Sequence, residues 1–244
     1  MVINTFDKKR CYLWRSRFRS WHGADRLKLP KVCYERGAEV LIRKGLELSG
    51  LAMAILTCSP FLKADEIPDF LRALDSYTGS RLVQSATKLL MITGVRTIEL
   101  RAALWSEFDL DNAIWEISAE KMKMRRSHLV PLSHQALDLL SKLKIMTGNY
   151  RYVFPGRNDP NKPMSEASIN QVIKRVGYCG SLTGHGVRHT MSTILHEQGF
   201  NSTWIEIQLA HVDENTIRGT YNHALYLSMR KNMLAWHSDF KFNH

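Results

Sequence analysis

From Ala64 onwards, apolar residues recur with the spacing of helix faces, and this pattern is the strongest constraint on the fold. Asp65, Glu66 and Pro68 are typical of a first helical turn, where acids meet the positive dipole end and proline sacrifices no hydrogen bond. Gly79 marks the end of that helix. Further helices are predicted at residues 82–94, 96–104, 133–143, 165–176, 184–198, 204–210 and 221–236.

One region alternates apolar and polar residues with the period of two that is typical of strands. Residues 113–117 and 128–132 carry this pattern, and a basic stretch at residues 121–127 joins them as the tip of a hairpin. Residues 152–156 are predicted to form a further short strand that ends in a turn. The expected fold class is therefore mainly α with a small antiparallel β-sheet, an α+β domain.

Charge suggests the kind of partner. The 34 Lys and Arg residues outnumber the 23 Asp and Glu residues, which gives the chain a formal charge of +11. Residues 1–60 hold twelve of these cations and only five of the acids, so most of the surplus lies in the first quarter. A surplus of this size favours a polyanionic partner, most simply nucleic acid. A basic solvated surface without such a partner is the alternative.

Cysteine usage and hydropathy indicate the compartment. The chain has four scattered cysteines: Cys11, Cys33, Cys58 and Cys179. They lack the paired spacing of a zinc site, and such sparse use is typical of the reducing cytosol. Charges within residues 7–19 stand where a secretory signal needs apolar residues. The apolar run at residues 51–58 is shorter than the roughly 20 residues of a membrane span, and it is predicted to be a buried helix or strand. We expect a cytoplasmic protein with no membrane partner and no thiol-bound metal.

Two arginines are candidate ligands of a phosphate group, because arginine presents a planar fork of donors and keeps its proton at working pH. Arg96 follows Gly94 at a predicted helix start, where backbone N–H groups also favour an anion. Arg188 lies one helical turn after His185, so these two side chains project from the same helix face. Arg96 and Arg188 can together clamp two oxygens of one phosphate. For either arginine, a surface ion pair is the alternative interpretation.

Proton transfer and nucleophilic attack have candidates as well. Lys123 lies in the basic hairpin tip, where a flexible amine can protonate a leaving oxygen, and Lys121 is its rival. Tyr221 is the candidate nucleophile, and it needs neighbouring cations that favour its phenolate. Tyr226 is the rival tyrosine, and for either residue simple packing in the core is the alternative. His211, ten residues before Tyr221, can hydrogen-bond a phosphate oxygen.

The order Arg, Lys, His-x-x-Arg, His and Tyr resembles the tyrosine recombinases of the phage integrase family. The resemblance covers about residues 62–240, and it is specific because five segments agree in order and spacing. These segments are residues 90–100, 119–126, 152–157, 183–190 and 209–221. The second and third of them resemble the branch of integrases carried by satellite phages and pathogenicity islands.

The resemblance implies a role for each candidate residue. A tyrosine attacks the scissile phosphate of double-stranded DNA, giving a 3′-phosphotyrosyl link and a free 5′-hydroxyl. Two arginines and a histidine stabilise the developing charge, a lysine protonates the leaving oxygen, and a second histidine assists proton transfer from the tyrosine. The implied catalytic set is Tyr221, Arg96, Lys123, His185, Arg188 and His211. The phosphotyrosine keeps the bond energy, so no metal or nucleotide cofactor is expected, and no GxxxxGK[ST] loop occurs. Family tails often dock on a neighbouring protomer, which implies self-association as a tetramer on DNA.

The domain organisation departs from that branch. Its integrases carry an arm-binding domain and a core-binding domain, whereas about 60 residues precede the matching region here and resemble neither. We expect residues 62–244 to form an integrase catalytic domain and residues 1–61 a short basic segment, either a shortened core-binding region or disordered. Two alternatives are a non-catalytic DNA-binding remnant of a truncated integrase and a type IB topoisomerase-like enzyme. A zinc hydrolase built on His185, His189 and His196 is the least favoured alternative, because no HExxH motif occurs.

Overall fold

The computed structural model describes residues 60–122, 127–211 and 226–242. The chain divides into two compact units, Met1–Leu56 and Thr57–His244, and every described residue belongs to the second unit. The apolar run at residues 51–58, Lys123 and Tyr221 therefore lie outside the described residues, as does the predicted helical segment 221–225.

The first helices follow the sequence signals closely. After a 3-10 turn at Ala64–Glu66, α1 spans Ile67–Asp75 and α2 spans Arg81–Thr93, followed by the short α3 at Thr97–Arg101. Gly94 ends α2 with a φ of 65°, and its N–H donates to the Leu90 carbonyl at 2.9 Å. A Cβ at Gly94 would lie 2.2 Å from the Met191 sulfur. Glycine is needed there for both the left-handed backbone and the close contact.

The small sheet has three antiparallel strands in the order β1-β2-β3. Strand β1 is Phe108–Asp109, β2 is Ile114–Ile117 and β3 is His128–Pro131. In β2, Trp115 and Ile117 are buried while Glu116 between them is exposed, which is the alternation expected of a sheet with one buried face. The predicted fold class is confirmed, including the antiparallel pairing of the two predicted strands. Strand β1 was not predicted, because two residues are too few to show a period.

The remaining helices follow this sheet along the chain. Helix α4 begins after Ser133, whose hydroxyl accepts from the Ala136 N–H at 3.4 Å, as predicted for a capping serine. A π-type turn at Lys174–Tyr178 continues α5 and includes Gly177 at a φ of 99°. The bounds are α4 His134–Thr147, α5 Ser168–Ile173, α6 Gly186–Glu197, α7 Ser202–Gln208 and α8 Leu227–Phe242.

One predicted strand was wrong, and several predicted helix bounds differ from the structure. Residues 152–156 form no strand but two isolated bridges, Leu104 with Tyr152 and Pro155 with Pro163, because proline has no N–H with which to extend a ladder. Helix α3 ends at Arg101 rather than at residue 104. Helix α7 begins earlier than predicted, because the Asn201 side chain caps it by accepting from the Thr203 N–H at 2.8 Å.

Two buried apolar clusters position the later helices. The larger cluster joins α1, α2, the sheet, α4 and α5. The smaller one joins α6, α7 and α8 through Met191, Leu195, Ile205, Leu209, Met233 and Leu234. This packing brings the C-terminal end of α7 beside the end of α2. Among the described residues, no helix is both long enough and apolar enough to cross a membrane.

Candidate active site

The C-terminal end of α7 collects the two arginines that the sequence analysis singled out. Arg188 donates from Nη2 to the Leu209 carbonyl and from Nη1 to the Gly94 carbonyl at 2.6 Å. Arg96 donates from Nη2 to the next carbonyl, that of Ala210, at 2.9 Å. Because a helix C-terminus carries partial negative charge, it attracts cations. The two guanidinium groups therefore lie side by side on adjacent carbonyls.

Glu99 fixes the position of Arg96. Its Oε1 accepts from Arg96 Nη1 at 2.7 Å, and its Oε2 accepts from the Arg96 backbone N–H at 2.8 Å. Glu99 is almost fully buried, whereas the Arg96 side chain keeps 29% of its exposure. The ion pair that was the alternative interpretation of Arg96 is thus present, but it leaves part of the Arg96 side chain exposed.

Arg188 is more deeply buried than Arg96, with 5% of its surface exposed. Burial, followed by the charge of nearby Arg96, lowers the pKa of Arg188 to about 10, while Glu99 and Glu206 act in the opposite direction. A pKa near 10 still leaves the group protonated at neutral pH. The site therefore holds two permanent positive charges, and the fork of donors on each guanidinium suits an anionic ligand.

Two histidines of α6 line the same site. His185 precedes the first residue of α6, and its ring packs edge-on against that of His189, with ring centroids 5.2 Å apart. Burial is the main cause that lowers the pKa of each imidazole. Neighbouring His189 and Arg188 lower the pKa of His185 further, and Arg188 does so for His189. Both rings are therefore neutral at pH 7, and a neutral imidazole can accept a proton.

His211 lies two residues beyond the carbonyl that binds Arg188. Its Nδ1 is 2.5 Å from Glu206 Oε2, and both side chains are 46% exposed. Ala210 between the helix and His211 has a φ of 48°, a left-handed conformation in which glycine is usual. The charge of His211 contributes to the lowered pKa values of His185 and His189, so the three imidazoles share one site.

The structure also bears on the rival residues. Lys121 donates to the Ala102 carbonyl at 2.7 Å and pairs with Glu107, so its ammonium is held in a structural ion pair. Its competitor Lys123 lies outside the described residues. Tyr226, the rival tyrosine, is half-buried at the start of α8. Tyr221 lies outside the described residues. Of the six predicted catalytic residues, the structure brings Arg96, Arg188, His185 and His211 together.

Several residues of the site were not predicted. Glu99 had a usable signal, since an acid three residues after a helix-start arginine lies on the same face. Gln208 and Arg230 had none. Gln208 Nε2 donates to the Thr93 carbonyl at 2.8 Å, and its Oε1 accepts from Arg230 Nη2 at 2.7 Å. His128 Nε2 lies 3.1 Å from the Gln208 carbonyl oxygen. These buried hydrogen bonds hold the end of α7 against the end of α2, β3 and α8.

Within the stretches 60–122, 127–211 and 226–242, no group of three His, Cys, Asp or Glu side chains is arranged to hold a metal ion. His196, one member of the alternative zinc set, points its Nδ1 at the Ser192 carbonyl, 2.7 Å away on its own helix. What this site offers a ligand is therefore a pair of guanidinium groups with imidazoles beside them.

The domain is mainly helical with a three-stranded sheet, and it places two arginines and three histidines around one helix end. These features agree with the family to which the sequence is most clearly related. The chain belongs to the phage integrase family, whose model matches residues 60–227. It is 46% identical over 181 residues to the prophage integrase IntS of Escherichia coli (strain K12), and the match covers 74% of this chain and 47% of IntS. The chain thus spans about half the length of the curated relatives it matches.

Two solved structures show the same fold. The XerH site-specific recombinase bound to its difH substrate in a pre-cleavage complex has a TM-score of 0.54 at 21% identity, covering 70% of this chain and 52% of XerH. A lambda integrase tetramer bound to a Holliday junction has a TM-score of 0.50 at 18% identity, covering 73% of this chain and 56% of that chain.

Proposed function

We propose that this protein cleaves and rejoins DNA strands in site-specific recombination, the integration or excision of a mobile element, through a covalent 3′-phosphotyrosyl intermediate on Tyr221. The observation that carries the proposal is the pairing of Arg96 and Arg188 on the adjacent carbonyls of Leu209 and Ala210. Two neighbouring guanidinium groups match the two non-bridging oxygens of a phosphodiester.

The arginines supply the electrostatic part of the reaction. Arg188 uses one N–H of each terminal nitrogen for the Gly94 and Leu209 carbonyls, and a guanidinium has five N–H donors in all. Donors therefore remain for a phosphate. Because both cations are already fixed by the protein, little reorganisation is needed when charge develops in the transition state.

Proton transfer completes the proposed mechanism. Tyr221 Oη attacks phosphorus as its proton passes to neutral His185, and the bond from phosphorus to the 5′-oxygen breaks. Lys123 gives a proton to that departing oxygen, so the products are a 3′-phosphotyrosine and a 5′-hydroxyl. His211 hydrogen-bonds a non-bridging oxygen. Attack by the 5′-hydroxyl of a second strand reverses these steps and rejoins DNA without ATP.

We further propose that residues 62–244 are the catalytic domain and that the basic segment at residues 1–61 contacts the DNA backbone. Its twelve cations against five acids among residues 1–60 support such a contact. Self-association as a tetramer on DNA is proposed as well, supported by the tetramer that the structurally similar lambda integrase forms on a Holliday junction.

A covalent-trapping experiment tests the function. Nicked duplexes tiled across the DNA that borders the gene would be incubated with the protein, and covalent complexes would be separated on a denaturing gel. Wild type and the control Tyr226→Phe should form the complex, whereas Tyr221→Phe should not. Equal trapping by Tyr221→Phe would show that the nucleophile is wrong.

Two further assays, read beside the covalent trapping, separate the alternatives. Salt-dependent duplex binding without any covalent product, by wild type or variants, would indicate a non-catalytic DNA-binding protein. Relaxation of a supercoiled plasmid by the monomer would instead favour a type IB topoisomerase-like enzyme.

A further inference from the structure

The connection from α7 to His211 is unusually well defined for a surface segment. The His211 N–H donates to the Glu206 carbonyl at 2.9 Å, and the Ala210 N–H donates to the Ile207 carbonyl at 3.0 Å. With Ala210 in the left-handed conformation, these two bonds form a Schellman motif, the helix ending that fixes the two residues after the cap. The backbone of His211 is therefore held at a set position over the helix end.

The side chain of His211 is held by the same residue that holds its backbone. Glu206 Oε2 lies 2.5 Å from His211 Nδ1, and a carboxylate can only accept, so Nδ1 carries the proton. An exposed ion pair alone has little ordering power, because solvent screens it and two side chains must be immobilised. Here the Schellman motif has already placed the two residues side by side, which removes most of that ordering cost.

We infer that Glu206 is a positioning residue, which holds the Nδ1–H of His211 and so leaves Nε2 as the ring nitrogen available to DNA. In water, a neutral histidine prefers the other tautomer, with the proton on Nε2, so the carboxylate must impose this state. The inference rests on the proposed function for its consequence, since Nε2 is the atom that would meet the scissile phosphate. With its Nδ1–H held by Glu206, the ring donates to a phosphate oxygen only from an Nε2–H, which it carries as the imidazolium. The tautomer itself is independent of that function.

The location of Glu206 makes this role specific. The carbonyls of Leu209 and Ala210, within four residues of Glu206, bind Arg188 and Arg96. One helix end therefore fixes both guanidinium groups and the imidazole. A shift of the His211 ring would change its distance to a phosphate held by the arginines, and small displacements of reacting groups have large effects on rate.

Two-bond 1H–15N correlation spectra of the full chain with 15N-labelled histidine test the inference directly. Recorded at pH 8.5, well above the ordinary imidazole pKa of about 6.5, they distinguish the two tautomers of each ring. His211, assigned by the signal lost in His211→Gln, should be the Nδ1–H tautomer in wild type and change mainly to Nε2–H in Glu206→Ala. His196 is the internal reference, because its Nδ1 faces the Ser192 carbonyl and should be unaffected.

Glu206→Gln is the conservative variant. Its amide oxygen can still accept the Nδ1–H, so the tautomer should be retained. Glu197→Ala removes an exposed glutamate at the end of α6 and should change nothing at His211. An Nε2–H tautomer for His211 in wild type, or an unchanged spectrum in Glu206→Ala, would overturn the inference.

The catalytic consequence is measured by single-turnover covalent trapping. Glu206→Ala should slow formation of the covalent complex by about 10- to 100-fold, the range typical for loss of a partner that orients a functional histidine. Glu206→Gln should recover most of the rate, which a general loss of folding would not explain. If wild type forms no covalent complex, the proposed function fails, while the spectra still decide the role of Glu206.

Discussion

Two buried arginines, Arg188 and Arg230, both contact the end of α7, but in very different surroundings. For each, burial is the main cause that lowers the pKa to about 10. Arg188 lies beside a second arginine and two carboxylates, and it binds main-chain carbonyls on two segments. Arg230 is fully buried beside the same helix end, and among the described residues its guanidinium binds the neutral side chain of Gln208 and the Leu129 carbonyl.

We therefore assign Arg188 to ligand binding and Arg230 to the stability of the fold. Burial lowers the pKa of Arg230, and its Nη1 has no hydrogen-bond partner within the described part of the chain. Its guanidinium joins α8 to β3 and to α7, and Gln208 extends the connection to Thr93 at the end of α2. Arg188, in contrast, places its positive charge beside that of Arg96, which a bound phosphate could reach.

The largest expected effect comes from replacing Arg188. Arg188→Gln removes a fixed charge from the anion site and should slow covalent-complex formation by about 100- to 1,000-fold, the usual cost of losing one preorganised donor. Arg188→Lys should recover little, because one ammonium cannot reproduce the planar fork that spans the Gly94 and Leu209 carbonyls. Single-turnover trapping measures the rate. Arg175→Gln, at an exposed arginine, is the control and should keep the wild-type rate.

Replacing Arg230 should instead act mainly on stability. Arg230→Met leaves the Leu129 carbonyl and Gln208 Oε1 without their donor, and we expect a loss of about 1–3 kcal/mol in the free energy of unfolding. Urea unfolding followed by circular dichroism measures it. The double variant Arg230→Met with Gln208→Met should lose less than the sum of the two single variants, since neither orphaned side chain then remains. Strict additivity would contradict the coupling.

The helix end between the two arginines should tolerate one stabilising change. Ala210 has a φ of 48°, which disfavours any residue with a Cβ, so Ala210→Gly relieves local strain. Some of the gain is offset by the greater flexibility of glycine in the unfolded chain, and the net effect should be up to about 1 kcal/mol of added stability. Thermal unfolding of the two proteins in parallel measures the shift. A lower midpoint for Ala210→Gly would show that the methyl group contributes more by packing than it costs in strain.

The smallest effect concerns pH. The folded protein lowers the pKa values of His185 and His189, so between their ordinary value and the lower folded value the unfolded chain binds more protons. Stability should therefore fall as pH drops below about 6.5, the ordinary imidazole pKa. Urea unfolding at pH 7.5 and pH 5.5 measures the change. The variant with both histidines replaced by glutamine should show a smaller pH dependence, and an equal one would assign the effect elsewhere.

Local patterns in the sequence were enough for most of the fold. Helical spacing predicted α1, α2 and α4, and the period of two predicted the pairing of β2 with β3. The short strand β1 and the early end of α3 were missed, because elements of two to five residues hold too few positions to show a period. The false strand at residues 152–156 had apolar residues but lacked a partner segment able to extend its pairing.

The amino-acid sequence by itself determined the helical class, the small sheet and the residue types of the site, because hydrophobic periodicity and chemical identity are local properties. Only the tertiary structure decided that the Arg96 guanidinium meets the carbonyl of Ala210, 114 residues away, and that Gln208 joins Arg230 to Thr93. Every residue has a main-chain carbonyl, so the amino-acid sequence does not show which carbonyl will accept a given hydrogen bond. Their selection as partners depends on how the helices pack, which is why the main-chain partners of the two arginines had no signal in the sequence.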